Sequence, residues 1–155
     1  MANTRIQVGD KAPSFKGVVE EDVIFDTSDL IGKKPFVLYF YPKDFTPGCT
    51  KEACQFRDSY EDFTEAGAEV IGVSSDSVKS HEKFKEKHRL PFILLSDLDG
   101  AIRKAYGVKS SLFGLLPGRE TFVIDQNGII QMQFNNLNAS DHMKKALKIV
   151  KKLKD

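Results

Sequence analysis

The segment that most constrains the fold of this 155-residue chain is the junction at residues 36–54. Phe36–Phe40 is a continuous run of aromatic and aliphatic residues, which is typical of a strand buried in a parallel sheet. The Thr-Pro-Gly segment at 46–48 then interrupts the chain. After it, aromatic residues recur at the spacing of one helix face, at positions 56, 60 and 63. The sequence therefore predicts a buried strand, a loop and a helix in direct succession.

Both cysteines of the chain, Cys49 and Cys54, fall in this junction. Cys49 follows Pro47 and Gly48, so it is predicted to lie at or near the N-terminus of the helix. Unpaired backbone N–H groups and the positive end of the helix dipole favour a thiolate over a thiol there. Because the thiolate is the reactive form of cysteine, this placement suggests a nucleophile.

The spacing of the two cysteines limits how they can pair. In a regular helix, five residues separate two Cα atoms by about 8.6 Å, from a rise of ~7.5 Å and a rotation of ~140°. A disulfide usually requires less than about 7 Å. Either Cys49 and Cys54 never pair, or the first turns of the helix unwind when they do. The spacing also excludes a Cys-x-x-Cys dithiol.

The rest of the chain alternates between strand and helix patterns. A short hairpin is predicted at 14–19 and 23–26, and further strands at 68–74, 92–95, 120–125 and 129–134. Helices are predicted at about 49–66, from 77 or 80 to 88, at 99–106 and from 139 or 140 onward. This order indicates an α/β protein with a mixed sheet flanked by helices. It is compatible with a thioredoxin-like fold that carries an N-terminal β-hairpin, in a single domain spanning 1–155.

Composition excludes several classes of protein. The chain is 41% hydrophobic and 29% charged, with a net charge of +1, so no overall electrostatic attraction to nucleic acid or to an anionic membrane is expected. No stretch approaches the roughly 18 apolar residues of a membrane span, and the first residues lack a secretory signal. A cytoplasmic protein is predicted, or an organellar one if a transit peptide has been removed. The three histidines lie far from the cysteines in sequence, which disfavours a zinc site.

From the residues alone, each candidate site residue also has a purely structural interpretation. Either cysteine could be a small buried hydrophobic residue. Thr46 could only cap the helix, Pro42 could only end the strand, and Arg119, which precedes a strand, could lie on the surface.

A wider pattern resembles a known family. Pro42-x-x-x-Thr46-x-x-Cys49 is similar to the active-site motif of peroxiredoxins. The second cysteine, Cys54, five positions later, is similar to the Q-type branch, also called bacterioferritin comigratory proteins. Segments 8–15, 94–97 and 118–125 also resemble that family, and Arg119 falls at its arginine position, so the resemblance covers nearly the whole chain.

The resemblance implies a thiol peroxidase that reduces hydrogen peroxide and organic hydroperoxides. Cys49 would attack the peroxide and become a sulfenic acid, and Cys54 would resolve it to a disulfide that thioredoxin or a similar dithiol reduces. Thr46 and Arg119 would bind the thiolate and the peroxide, while Pro42 would shield the pocket. The resemblance implies no metal, haem or flavin, and it favours a monomer or weak dimer.

Two further points stay open from the sequence. The apolar loop at 111–118 either packs on the core or forms a rim that receives an organic hydroperoxide or the reductant, through Phe113, Leu115 and Leu116. Two other functions also compete with a peroxidase. They are a thioredoxin-like disulfide oxidoreductase and a binding module with inert cysteines.

Overall fold

The computed structural model describes residues 6–20, 23–108, 118–136 and 138–154. These residues form one seven-stranded sheet. Its strands, in chain order, are β1 Lys16–Glu20, β2 Val23–Asp26, β3 Phe36–Phe40, β4 Glu69–Ser74, β5 Ile93–Ser96, β6 Glu120–Ile124 and β7 Ile130–Asn135. Their spatial order is β2-β1-β5-β4-β3-β6-β7. The three central strands β5, β4 and β3 run parallel, and the outer pairs are antiparallel.

Five α-helices connect or cover these strands within the described part of the chain. They are α1 Pro47–Asp58, α2 Tyr60–Glu65, α3 Val78–His88, α4 Ala101–Ala105 and α5 His142–Lys154. Short 3₁₀ turns occur at Thr27–Asp29 and Ala139–Asp141. None of the helices in the described ranges is both long enough and apolar enough to span a membrane.

The strand β3 is fully buried because apolar groups cover both faces of the sheet. Alternate side chains of a strand point to opposite faces. Val37 and Tyr39 therefore join a cluster with side chains of α1, α2, α3 and α5. Phe36, Leu38 and Phe40 join a second cluster on the opposite face, with side chains of α4 and of the N-terminal segment. This arrangement explains the uninterrupted apolar run that the sequence shows.

The predicted fold class is confirmed, with an N-terminal hairpin and a mixed sheet flanked by helices. The helix predicted at 49–66 begins two residues earlier, at Pro47, because proline suits the first helical position. It is also divided in two at Ser59, whose φ of −108° and ψ of 6° leave the helical range. The charged helix α3 buries two side chains, His81 and Phe84.

The pairing of β3 with β6 determines what lies beside the start of α1. These strands are antiparallel, and the last residue of β3, Phe40, pairs with the first residue of β6, Glu120. The residue before β6 therefore lies at the sheet edge where the chain leaves β3 for α1. That residue is Arg119.

Candidate active site

Cys49 lies in the first turn of α1 and is 1% exposed. Thr46 occupies the N-cap position with an extended backbone, and Pro47 is the first helical residue. The helix continues without interruption past Cys54, and both cysteines are free thiols. The predicted placement of Cys49 at a helix N-terminus is confirmed, and the helical geometry keeps the two sulfur atoms unpaired.

A buried guanidinium contacts the Cys49 sulfur. Arg119 Nη2 lies 3.3 Å from Cys49 Sγ, and Arg119 is only 5% exposed. Burial tends to lower the pKa of Arg119, but the neighbouring Glu52 and Cys49 raise it to a net value above the ordinary one. A permanent cation at this distance stabilises negative charge on sulfur. The alternative that Arg119 is a surface residue is wrong.

Glu52 is a site residue that the sequence reasoning missed. It is fully buried, and its Oε1 pairs with Arg119 Nη1. Its Oε2 has no hydrogen-bond donor among the described residues. Burial raises the pKa of Glu52 to about 7, although Arg119 opposes that shift. Glu52 follows Cys49 by three residues on one helix, so the two side chains share a face. That spacing is the signal from which it could have been found.

The imidazole of His142 lies behind Glu52 and is also fully buried. Its Nε2 lies 2.7 Å from the Asn136 carbonyl oxygen, to which it must donate. Its Nδ1 then accepts from the Thr121 hydroxyl at 2.7 Å and lies 3.6 Å from Glu52 Oε2. Burial lowers the pKa of His142 to about 4. The ring is therefore neutral near pH 7.

The loop between β3 and α1 holds the other predicted residues. The Thr46 hydroxyl donates to the Lys43 carbonyl oxygen at 2.8 Å and makes no side-chain cap to the helix. Capping is thus not what its side chain does. Pro42 is partly buried in the same loop. Gly48 lies against the Arg119 guanidinium. A Cβ atom at this position would be 3.1 Å from Arg119 Nη2.

Cys54 has different surroundings, facing α3. It is partly buried, and its Sγ lies 4.0 Å from His88 Nδ1. Arg57, one turn later on α1, donates from Nη1 to the His88 carbonyl oxygen at 2.9 Å. The structure thus brings Cys49 and Arg119 together, and it places Cys54 beside another group.

One further cluster of titratable side chains has a spacing that would suit a cation. The described part of the chain places ligand atoms of Asp44, Asp76 and His81 within 4.8 Å of one another. Protein donors already use these carboxylates, however. Asp44 Oδ1 accepts from the Tyr41 hydroxyl at 2.6 Å, and Asp44 Oδ2 lies 2.7 Å from His81 Nδ1. Asp76 Oδ2 accepts from the Ser74 hydroxyl at 2.7 Å. The cluster links the loop before α1 to β4 and α3.

The three predicted rim residues, Phe113, Leu115 and Leu116, lie outside the residues that the structure describes. Their part in the site stays a prediction.

Comparison with known proteins agrees with this geometry. The AhpC/TSA family profile matches residues 8–133. A chloroplastic peroxiredoxin Q from Sedum lineare is 50% identical over 97% of this chain and 81% of its own length. Two solved structures are similar over nearly their whole length. The peroxidoxin BcpB of Mycobacterium tuberculosis has a TM-score of 0.87 and 36% identity, covering 96% of this chain and 98% of its own. The bacterioferritin comigratory protein of Xanthomonas campestris has a TM-score of 0.83 and 32% identity, covering 91% and 92%.

These matches decide between the functions that the sequence left open. Profile, relatives and structures agree on one family, and both cysteines of the pattern are present. Neither a general disulfide oxidoreductase nor an inert binding module fits this agreement. The chain belongs to the AhpC/TSA family and is a peroxiredoxin of the Q type, a thiol-dependent peroxidase.

Proposed function

We propose that Cys49 is the peroxidatic residue of this enzyme. Its thiolate attacks one oxygen of the peroxide, the O–O bond breaks, and the second oxygen leaves as water or an alcohol after taking a proton. Cys49 is left as a sulfenic acid. The observation that carries this assignment is the buried Arg119 guanidinium 3.3 Å from Cys49 Sγ, in the first turn of α1.

Arg119 has two tasks in this proposal. Its positive charge holds Cys49 as a thiolate, and its N–H groups polarise the peroxide oxygens as charge develops on them. Glu52 fixes the guanidinium through the buried ion pair. The backbone N–H groups at the start of α1 add to the stabilisation of that charge.

Thr46 and Pro42 complete the pocket. The Thr46 hydroxyl donates its proton to Lys43 in the resting enzyme. Its oxygen keeps two lone pairs, and rotation of the hydroxyl would let it donate to a bound peroxide or to the thiolate. Pro42 lacks an N–H group and presents an apolar ring, and we assign it to keeping water from the sulfur.

Cys54 is proposed as the resolving residue. It attacks the sulfenic sulfur of Cys49, the S–O bond breaks, and a Cys49–Cys54 disulfide and water result. Because a regular α1 keeps the two residues too far apart, its first turn must unwind for this step. A thioredoxin-type dithiol then reduces the disulfide by exchange.

The substrates are proposed to be hydrogen peroxide and organic hydroperoxides. The bacterioferritin comigratory protein of Xanthomonas campestris has alkyl peroxide reduction activity, which supports the organic class. An apolar rim formed by Phe113, Leu115 and Leu116 would suit the organic part of such a substrate. We also propose a single domain that acts as a monomer, in which both apolar clusters share one sheet.

The cellular location is proposed to be an organelle. The relative from Sedum lineare is named chloroplastic, which supports an organelle rather than the predicted cytoplasm. Organelle fractionation of the source cells with an antibody against this chain tests the proposal, and signal confined to the cytosol would contradict it.

The roles are tested by peroxide consumption with thioredoxin, thioredoxin reductase and NADPH. We expect Cys49→Ser to lose all activity. Cys54→Ser should still form a sulfenic acid that dimedone traps, but it should not turn over with thioredoxin. A wild-type enzyme that consumes no peroxide with any dithiol would overturn the proposal, as would a Cys49→Ser variant that retains activity.

A further inference from the structure

The resolving step, like the first step, requires a thiolate, but at a different cysteine. Cys54 must attack as a thiolate, yet it lies outside the Arg119 site that stabilises the Cys49 anion. A free cysteine thiol has a pKa near 8.5, so only a few per cent of it is ionised at pH 7. A base within reach of the Cys54 sulfur would therefore accelerate disulfide formation.

His88 is such a group. Its Nδ1 lies 4.0 Å from Cys54 Sγ, at the long end of hydrogen-bond distances to sulfur. The ring also packs edge-to-face against the buried ring of Phe84, with centroids 5.1 Å apart. This contact restricts the orientation of the imidazole. A neutral ring with its proton on Nε2 presents the Nδ1 lone pair to the thiol.

The charges around His88 favour its neutral form. Burial lowers its pKa first, and the neighbouring cations Lys87 and Arg57 lower it further. Lys87 precedes it on α3. Two residues of α1, Cys54 and Arg57, face the His88 imidazole. The Arg57 guanidinium is itself paired with Asp58 at 2.9 Å. A neutral imidazole can accept a proton near pH 7.

The contact can also persist when the start of α1 unwinds. The Arg57 guanidinium ties the C-terminal half of α1 to α3 through the His88 carbonyl oxygen at 2.9 Å. The first turn, in contrast, has no side-chain cap at Thr46. The first turn is therefore the easier part of α1 to open. Cys49 can then move toward a Cys54 that stays beside His88.

We propose that His88 is the proton acceptor for Cys54 in the resolving step, an assignment that rests on the proposed function above. The Cys54 S–H proton moves to His88 Nδ1 as the sulfur attacks the Cys49 sulfenic sulfur. The new S–S bond forms and the S–O bond breaks. The leaving hydroxide takes a proton, from His88 or from solvent, and departs as water. No other oxidant or reductant takes part.

The Arg57 contact makes this proposal testable by substitution, because it uses the backbone of residue 88 and survives a change of side chain. We choose His88→Asn and His88→Ala, with Lys83→Gln on the exposed face of α3 as the matched control. Reduced enzyme receives one equivalent of hydrogen peroxide, is quenched with acid at set times and is alkylated. Mass spectrometry then gives the rate of disulfide formation.

Both His88 variants should form the disulfide about tenfold more slowly than wild type at pH 7, because only the small ionised fraction of the thiol can react without the base. The difference should vanish above about pH 10, where a free thiol ionises unaided. Added imidazole should restore the rate of His88→Ala, which a merely structural role for His88 would not allow. Lys83→Gln should match wild type.

Two results would overturn the proposal. One is an unchanged rate of disulfide formation in both His88 variants at pH 7. The other is a slower rate that neither high pH nor imidazole restores. Failure of the underlying function looks different. In the Cys54→Ser background, dimedone trapping should show the same rate of sulfenic acid formation with or without His88, whereas absence of sulfenic acid in every variant would remove the peroxidase assignment itself.

Discussion

The two cysteines of α1 are held in opposite ways. Cys49 is buried against a guanidinium that is always charged, and a buried carboxylate fixes that guanidinium. Cys54 is partly exposed and lies near an imidazole whose pKa is lowered. A fixed cation stabilises an anion permanently, whereas a neutral base removes a proton only when the reaction needs it. One helix can therefore carry one sulfur that is ready at all times and one that reacts on demand.

The two ends of α1 also differ in how firmly they are attached. The first turn of α1 relies on Cys49 contacts and lacks a side-chain cap. The last turn is bound to α3 through Arg57 and the His88 backbone. Opening of the helix at its N-terminus would therefore separate Cys49 from Arg119 and leave Cys54 in place. The first turn of α1 would then both hold the peroxide-reactive Cys49 and be the part of the helix that opens.

The largest effect should follow from removing the fixed cation. Arg119→Gln should slow the reaction of Cys49 with peroxide by about 10²- to 10³-fold, the cost of losing one donor aimed at developing charge. Disulfide formation from the sulfenic acid should keep its rate, because Cys49 leaves its contact with Arg119 when the first turn of α1 unwinds. Stopped-flow single turnovers resolve the two steps.

The control for that variant is Arg103→Gln. Arg103 is a second buried arginine, whose Nη2 donates to the Tyr41 carbonyl oxygen at 3.2 Å. Its loss should lower the free energy of unfolding and leave the peroxide rate within about threefold of wild type. Equal loss of rate in both variants would mean that stability, not charge at Cys49, sets the rate.

The second effect concerns the pH dependence of stability that arises from two buried titratable groups beside the Cys49 site, Glu52 and His142. In the folded protein the pKa of Glu52 is about 7, against an ordinary 4.5, and that of His142 is about 4, against an ordinary 6.5. Between about pH 4.5 and 6.5 the folded chain holds a proton on Glu52, and the unfolded chain holds one on His142. The two contributions to the pH dependence of stability have opposite signs, so they largely cancel in the wild type.

Single substitutions should expose each contribution. In Glu52→Gln only His142 remains, and the unfolded state binds more protons, so stability should rise with pH from about 4 to 6.5. In His142→Asn only Glu52 remains, and the folded state binds more, so stability should fall as pH rises from about 4.5 to 7. Each change amounts to about 3 kcal/mol over its range.

Urea unfolding of the reduced proteins at each pH measures these slopes, and subtracting the values of the double variant Glu52→Gln/His142→Asn removes the titration of all other groups. The double variant should be flat again relative to wild type. Parallel changes in both single variants would contradict the assigned protonation states.

The sequence predicted one side of this comparison better than the other. The buried strand and the helix start at Cys49 follow from local pattern. Arg119 could be assigned only by resemblance, since its contact with Cys49 depends on the register that pairs Phe40 with Glu120. No local pattern encodes that register.

Three site residues were missed because of their residue type. Glutamate and histidine on helices with many charges are usually exposed, and nothing near His88 or His142 in sequence marks them as partners. Their burial depends on which elements pack together. Glu52 could have been found from its three-residue spacing to Cys49, but His88 and His142 belong to helices distant in sequence from α1.

The smallest effect on the peroxide reaction should come from adding a methyl group at Gly48, next to the Arg119 guanidinium. A Cβ atom at Gly48 would lie 3.1 Å from Arg119 Nη2, closer than ordinary contact. The guanidinium is pinned on its other side by Glu52, so it can yield by only a few tenths of an ångström. Gly48→Ala should slow the peroxide reaction by roughly fivefold, because reacting groups are sensitive to small displacements.

The same substitution should raise the free energy of unfolding, so a slower peroxide reaction could not be explained by a loss of stability. Alanine within a helix is favoured over glycine by about 0.5–1 kcal/mol, so urea unfolding should show a more stable protein with a slower peroxide reaction. In the Arg119→Gln background, Gly48→Ala should cost no further rate, since the displaced group is already gone. An equal fivefold loss in both backgrounds would mean that Gly48 acts on Cys49 or on the helix start directly. The backbone of the first turn would then control the reactivity of Cys49 together with the Arg119 cation.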